Sequence, residues 1–335
     1  MILVTGGTGL VGSHLLYELT SSCNIKIKAT KRKTSSLDNL INVFKQYTKD
    51  YQHLLDKIQW VNADLQDLSS LESLFINIKT LYHCAALVSF NPEDKQTIYK
   101  TNMLGTQKLV DICINKKIRL CFVSSIGSLG NYHKQAICEK DEFEANKPHS
   151  IYSWSKYKSE QIVWEGIKEG LNAIIVNPSI ILGFGHWNSG SSLLFKQVAD
   201  GLRFYTKGTT GYVDVRDVAK AMHQLTISDI KSEQFILNAE NLSYKSLFRL
   251  IAKHLNKPKP YIYASPIITG ITWRILYLIS KISKKKPNLT KETARSAHNK
   301  SFYNGNKICN FLDNFEYREI ETTIKETCEA FKTQK

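Results

Sequence analysis

Tyr152 and Lys156 stand four residues apart, in a stretch whose apolar spacing from Ser153 to Lys168 is helical. Residues i and i+4 of a helix share a face. A phenol ordinarily ionises near pH 10, too high for ready proton exchange at neutrality. An ammonium one turn away favours the phenolate and pulls that value down. The pair can therefore give a proton to, or take one from, a substrate oxygen. On an ordinary surface helix the same two residues would be an exposed polar pair. What argues for chemistry is a second motif near the start of the chain.

That motif is Thr5-Gly6-Gly7-Thr8-Gly9-Leu10-Val11-Gly12, set between an apolar strand and an amphipathic helix. Glycines permit a tight turn and let backbone N–H groups approach a pyrophosphate, while the helix N-terminus adds unpaired donors and a positive dipole end. Gly12 would let the helix pack closely on the strand. About 20 residues further on, an acid would bond the ribose of NAD, whereas a basic group would suit the 2′-phosphate of NADP. The second strand ends in Thr30-Lys31-Arg32-Lys33 with no acid. NADP is thus favoured over NAD, with Lys31 or Arg32 as anion partner.

The elements that must position these groups alternate. Strand-like runs occur at Ile2 to Thr5, Ile25 to Thr30, Ile58 to Val61, Thr80 to Cys84, Leu120 to Ser124 and Ala173 to Val176. Helical spacing falls between them, at Leu10 to Leu19, Leu68 to Ile78, Ile98 to Ile114 and Ser153 to Lys168. This predicts an α/β chain: a doubly wound parallel-sheet Rossmann fold with a smaller, mostly helical C-terminal substrate lobe. Residues 1–177 would form the dinucleotide-binding domain, completed by about 209–240. Residues 178–208 and 241–335 would form the substrate lobe.

With 335 residues, 42% hydrophobic and 22% charged, the chain can bury a sizeable core. Seven scattered cysteines, none spaced C-x-x-C, suggest neither a disulfide framework nor a zinc site, and point to a reducing cytoplasm. The opening strand leaves no room for a signal segment. The net charge of +15 raises nucleic acid as a partner, but the lysines are dispersed and lack interleaved aromatics, so that class is set aside. Two basic clusters remain, Lys31-Arg32-Lys33 and Lys284-Lys285-Lys286. The apolar run Ile267 to Ile282 is interrupted by Arg274 and too short to span a membrane. It reads as a core helix of the small lobe, with peripheral membrane contact as the alternative.

These motifs resemble the extended short-chain dehydrogenase/reductase family, also called the NAD-dependent epimerase/dehydratase family. The T-G-x-x-G-x-x-G loop is Thr5, Gly6, Gly9 and Gly12, and the Y-x-x-x-K pair is Tyr152 and Lys156. Asp64-Leu65, His83-Cys84-Ala85-Ala86, Asn102-x-x-Gly105-Thr106, Ser124-Ser125, Asn177-Pro178-Ser179 and Val213 to Ala219 follow in the family's order, over roughly residues 1 to 220. The resemblance implies that Asp64 and Leu65 lie beside the adenine and that Ala85 and Ala86 line the dinucleotide groove. It also implies Asn102 among the cofactor residues and puts Pro178 and Ser179 near the nicotinamide. Lys156 would bond the nicotinamide ribose, and Ser125 would be the third catalytic residue, donating to the substrate oxygen. His83 and His133 read as structural, and Asp214 and Asp217 as helix anchors without a metal.

The family includes reductases as well as epimerases and dehydratases, and fold alone does not choose. Sugar-nucleotide enzymes must pair a substrate diphosphate with cations, and Lys196, Arg203 and Arg216 match no such string. The Asn-Pro-Ser-Ile-Ile-Leu-Gly segment and the basic strand end resemble the dihydroflavonol-reductase and hydroxysteroid-dehydrogenase side. Phe184, Trp187, Phe204, Tyr205, Trp273 and Tyr277 would suit an apolar pocket. The expected activity is NADP-dependent reduction of a small-molecule ketone or aldehyde, or oxidation of the alcohol. A nucleotide-sugar epimerase or dehydratase holding NAD is the alternative, and a non-catalytic dinucleotide sensor a second. A homodimer, frequent in the family, stays open.

Overall fold

The computed structural model describes residues 1–23, 25–67, 71–130, 135–283, 287 and 289–334. The first part forms β1 (Ile2–Thr5), α1 (Leu10–Ser22), β2 (Ile27–Lys31), α2 (Asp38–Tyr47), α3 (Tyr51–Leu55), β3 (Ile58–Asn62) and β4 (Thr80–His83). There follow α4 (Lys95–Ile98), a π-helical stretch Tyr99–Leu104, α5 (Gly105–Lys116), β5 (Arg119–Val123), α6 (Ile151–Lys168), β6 (Ala173–Pro178) and β7 (Ile180–Leu182). Next are α7 (Ser192–Ala199), β8 (Phe204–Tyr205), β9 (Thr209–Asp214), α8 (Val215–Ile227), β10 (Glu233–Leu237) and β11 (Glu240–Ser243). The chain ends with α9 (Tyr244–Leu255), β12 (Ile262–Tyr263), α10 (Pro266–Ser283), α11 (Lys291–Ser296), α12 (Lys307–Phe311) and α13 (Ile320–Thr333).

Seven strands form one parallel sheet in the order β10-β6-β5-β4-β1-β2-β3. Successive strand residues point to opposite faces, and the two-sided burial explains the continuous apolar runs. Leu3, Leu81, Leu120 and Ile175 pack on one face with Leu109 of α5 and Val163 of α6. Their neighbours Val4, Tyr82, Cys121, Ile174 and Val176 pack on the other with Leu16 of α1, Phe44 of α2 and Met222 of α8. A third apolar cluster, built on Leu182, Phe195, Tyr212, Leu247, Ile251, Ile324 and Phe331, forms the core of the smaller lobe. The chain thus has the doubly wound fold expected of it. β1 lies between β2 and β4, so the strand order reverses there and a crevice opens at the strands' carboxyl ends.

Three local expectations fail. The strand-like stretch Gly211 to Val215 is expected to return to the central sheet, but the strand formed there, β9 (Thr209–Asp214), pairs antiparallel with β11 and parallel with β7 in a separate three-stranded sheet. An apolar strand pattern says that a segment pairs and leaves its partner open. The helix expected from Leu68 to Ile78 is a single 3₁₀ turn, Glu72–Phe75; Leu68, Ser69 and Ser70 lie outside the described residues. The run Ile267 to Ile282 is helical as α10, but it is no core helix, because of its residues only Thr269 is buried.

Candidate active site

The loop after β1 turns at Gly6, whose φ of +71° places it in the left-handed region that favours glycine. A Cβ there would lie 2.8 Å from the backbone of Ala85, so loop and β4 meet without a side chain between them. At Gly12 a Cβ would lie 2.1 Å from the Gly6 carbonyl oxygen, so only glycine lets α1 start this close to the loop. Gly9 is the N-cap of α1 and provides no side-chain acceptor for the first-turn N–H groups around Leu10 and Val11. This is a cradle for an anion at a helix N-terminus. Gly7 does something else: its N–H donates to the Thr30 carbonyl, and its Cα faces Leu16 and Trp60. Thr8 is half-buried beside it.

The other sequence-derived residues gather at the strands' carboxyl ends. Lys31 closes β2, half-buried, and exposed Arg32 follows. Asp64 and Leu65 follow β3, the Asp64 carboxylate accepting from the Gln66 N–H at 2.9 Å. Ala85 and Ala86 follow β4, with the Ala85 N–H directed to Thr5 Oγ1. Pro178 ends β6, and the hydroxyl of the adjoining Ser179 is buried with no hydrogen-bond partner among the described residues. Asn102, on the π-helical stretch, has its amide committed: Oδ1 accepts from the Leu87 N–H (2.8 Å), and Nδ2 donates to the Leu87 carbonyl (3.1 Å) and Ser155 Oγ (3.0 Å). It braces the loop after β4 against α6, with both amide N–H groups committed and one bond to its oxygen.

Two caps orient the central group. Ser150 caps α6 by accepting from the Ser153 N–H, which fixes the first turn that carries Tyr152. Ser125 caps the short 3₁₀ turn Ile126–Ser128, its hydroxyl accepting from the Gly127 N–H at 3.1 Å. Burial pushes the Tyr152 phenol above its ordinary value, and the nearby Ser125 hydroxyl opposes this. The expected pull from Lys156 is absent from this arrangement. Lys156 Nζ donates to the Val123 carbonyl at 2.7 Å and lies 4.4 Å from the centre of the Phe122 ring. Burial lowers its own pKa to about 8, partly offset by Glu160.

Glu160 is the residue that sequence reasoning missed. It continues the Tyr152–Lys156 face by one more turn, and an acid at that spacing was the available signal. Its buried carboxylate accepts from the hydroxyls of Ser124 and Ser128, from Asn177 Nδ2 at 2.8 Å and from Gln234 Nε2 at 2.8 Å. Asn177 Nδ2 also donates to the Ser125 carbonyl at 3.1 Å. Burial pushes the Glu160 carboxyl up, and these donors hold it down. The network ties β5, β6, β10 and α6 together under the serine loop.

A cavity of about 550 Å³ adjoins α6, lined by Phe90, Pro92, Trp273, Tyr277, Leu289 and Glu292 among others. The Phe90 ring meets the Tyr152 ring edge-on, centroids 5.8 Å apart. Glu292 accepts from the Ile151 N–H, while its Oε2 is buried without a partner and burial raises its pKa. Of the six aromatics proposed from sequence, Trp273 and Tyr277 line this cavity. Phe184 packs on His14 and Tyr47, Trp187 on Phe195 and Phe331, and Tyr205 on Tyr263, while Phe204 is exposed.

The remaining polar candidates have structural partners. His83 is buried, bonded to Thr5 and Thr106, with its pKa lowered to about 3 by burial; His133 lies outside the described residues. Asp214 caps α8 through the Arg216 N–H, and Asp217 accepts from the Arg318 N–H. Arg216 pairs with Asp214 and Glu326, and Lys196 with Asp200. The Arg203 carbonyl accepts from the N–H groups of Tyr261 and Ile262. Among the described residues no group of acidic, histidine or cysteine side chains could hold a metal.

Known proteins resemble this chain in sequence and in fold. A dihydroflavonol 4-reductase-like protein of Synechocystis sp. is 28% identical over 268 residues, covering 77% of this chain and 73% of that protein. Sterol demethylase protein B of Methylococcus capsulatus is 25% identical over 276 residues, 80% of this chain and 79% of that protein. The crystal structure of gox2253 superposes with a TM-score of 0.81 at 23% identity, covering 100% of this chain and 98% of the other, a likeness of fold. The family model for the NAD dependent epimerase/dehydratase family matches residues 2–235, from the glycine loop through the sheet to β10. With that match spanning most of its length, the chain belongs to the NAD dependent epimerase/dehydratase family.

Proposed function

We propose that this protein is an NADP-dependent oxidoreductase that reduces an apolar ketone or aldehyde, or oxidises the matching alcohol. The cavity against α6 carries the reading: Phe90, Pro92, Trp273, Tyr277 and Leu289 give its wall an apolar part, beside the polar Asn91, Glu93, Lys281, Lys291 and Glu292, and one edge is the ring that contacts Tyr152. A nucleotide sugar would instead need unpaired cations for its diphosphate; Lys196 and Arg216 are taken up in ion pairs, and of the two lysines lining the cavity, Lys281 and Lys291, the first is paired with Glu93. The names of the Synechocystis and Methylococcus relatives accord with reduction or oxidation of an apolar molecule.

The residues fit a dinucleotide. The cradle that Gly6 and Gly12 leave open, with the α1 N-terminus, suits a pyrophosphate. Lys31 and Arg32 would hold the 2′-phosphate, Asp64 and Leu65 would flank the adenine, and Ala85 and Ala86 would line the groove. Lys156 would bond the nicotinamide ribose, and the orphaned Ser179 hydroxyl, with Pro178, would meet the nicotinamide end. When bound, NADPH would supply the hydride for reduction, and NADP⁺ would accept it in the reverse direction. Tyr152, whose raised pKa keeps it protonated at neutral pH, donates its proton to the substrate oxygen as negative charge develops there. Ser125 donates a second hydrogen bond to the same oxygen. Glu292 Oε2, without a partner in the cavity, is the group able to orient a polar substituent of the substrate.

The test is a fluorescence titration with NADPH and NADH, on wild type and on Lys31→Asp/Arg32→Ala. Wild type should prefer NADPH at least about tenfold, or about 1.4 kcal/mol, and the variant should lose that gap. A preference for NADH, or NAD that copurifies, would turn the reading toward a self-recycling epimerase or dehydratase.

A further inference from the structure

α10 presents two faces. Trp273, Tyr277 and Ser280 line the cavity. On the other side Ile267, Ile268, Ile271, Ile275, Leu278, Ile279 and Ile282 form one stripe, about 120° wide at 3.6 residues per turn. None of these seven is covered: Ile267 is 75% exposed, Leu278 64% and Ile282 86%. A contiguous apolar stripe of this size on a surface marks a docking site. Arg274 and Lys281 lie along one edge of it, Lys281 paired there with Glu93 at 2.8 Å.

The charge of the sequence that flanks the stripe favours one occupant. Between Glu240 and Glu292 the sequence has no Asp or Glu but eleven Lys and Arg: Lys245, Arg249, Lys253, Lys257, Lys259, Arg274, Lys281, Lys284, Lys285, Lys286 and Lys291. A second copy docking through the same stripe would bring two such cationic regions together, which like-charge repulsion opposes. An anionic lipid surface offers both an apolar layer for the stripe and negative headgroups for its flanks. No helix among the described residues is long and apolar enough to cross a membrane, which leaves an in-plane orientation.

We infer that α10 is an interfacial helix that docks this protein on an anionic bilayer, with the isoleucine stripe in the acyl boundary and the flanking cations at the headgroups. The opposite face of the same helix lines the cavity, so docking would bring the active site to the surface in which an apolar carbonyl dissolves. That consequence alone rests on the proposed reductase reading; docking itself needs neither cofactor nor substrate.

Flotation of the full chain with liposomes is the test, comparing pure phosphatidylcholine with phosphatidylcholine containing about one quarter phosphatidylglycerol. Binding should require phosphatidylglycerol and fall at least about tenfold in 0.5 M salt. Ile271→Glu/Ile275→Glu should abolish it while leaving thermal unfolding and NADPH binding unchanged. Ile282→Glu, at the most exposed position, guards against misfolding of the double variant and should weaken binding in the same direction. Failure of wild type to float, equal binding to neutral vesicles, or binding indifferent to these substitutions would each overturn the proposal. So would a concentration-dependent dimer in sedimentation velocity that the variants abolish without any vesicle binding, since the stripe would then be a self-interface. None of these outcomes touches the cofactor titration, so the two readings fail independently.

Discussion

The hydroxyl of Ser125, just after β5, lies close enough to the phenol of Tyr152, in the first turn of α6, to oppose the rise in pKa that burial imposes. Its neighbour Ser124 faces the other way and bonds the buried Glu160 carboxylate. Adjacent serines therefore serve different layers, one beside Tyr152 and one in the buried network around Glu160.

Tyr152→Phe removes the proton donor and leaves the ring in contact with Phe90. Steady-state turnover of an accepted carbonyl should fall about 10²- to 10⁴-fold, with the dissociation constant for NADPH unchanged. Ser125→Ala should cost about 10- to 10³-fold in kcat. Undiminished turnover in Tyr152→Phe would remove Tyr152 from the mechanism; a wild type that binds NADPH but turns over no carbonyl would favour the sensing role.

Lys156 couples activity to a cost in stability. Its pKa is about 8 in the fold against 10.5 ordinarily, so below about pH 8 the fold bears the cost of a buried ammonium, on the order of 3 kcal/mol. Between those values the unfolded chain binds more protons, so this residue's contribution to stability rises with pH from about 8 to about 10.5. Lys156→Met should be inactive yet more stable at pH 7 by about 1–2 kcal/mol, after losing the Val123 hydrogen bond. Urea unfolding at pH 7 and pH 10 checks this, and a marked loss of stability at pH 7 would contradict it.

Glu160→Ala would remove the acceptor shared by four buried donors, from Ser124, Ser128, Asn177 and Gln234, leaving them only their bonds to one another and to the Ser125 carbonyl. A loss of about 3 kcal/mol or more is expected by denaturant unfolding. Glu160→Gln keeps one carbonyl acceptor and should lose about half as much. An Ala variant as stable as wild type would show that the network contributes nothing net.

Gly12→Ala places a Cβ 2.1 Å from the Gly6 carbonyl oxygen. Either the loop or α1 must move, so NADPH affinity should fall at least about 100-fold, near 2.7 kcal/mol. Isothermal titration calorimetry reads the change, and near wild-type affinity would mean that the cradle is not the phosphate site.

Trp273→Ala opens the apolar wall of the cavity. For an aromatic or aliphatic ketone, kcat/KM should fall about tenfold or more through KM, as about 1.5–3 kcal/mol of apolar contact is lost. NADPH binding should hold steady. A fall in NADPH affinity with KM untouched would assign this wall to the cofactor.

Much of the scaffold was legible because burial leaves a periodic trace. Continuous apolar runs mark strands covered on both faces, and the helices between them make those strands parallel neighbours. The glycine loop was legible for a steric reason, since no other residue tolerates the approach of Gly6 to Ala85 or of Gly12 to Gly6. Tyr152 and Lys156 were legible because four residues are one helical turn. Asn102 was named for the site, but its amide is spent on Leu87 and Ser155, which no spacing reveals.

The sequence alone thus determined the alternation of elements, the loop that can cradle a phosphate and the helix face that carries the phenol and the amine. These depend on contacts a few residues apart, which periodicity records. Only the tertiary structure decided that Lys156 turns to Val123 rather than governing Tyr152, that Glu160 joins the site's support, and that Thr209–Asp214 leaves the main sheet. It also put Phe90 and Trp273 into one cavity and left the isoleucines of α10 uncovered. Each of these depends on which distant segment lies opposite, and apolar character specifies that a surface will be covered without specifying by what.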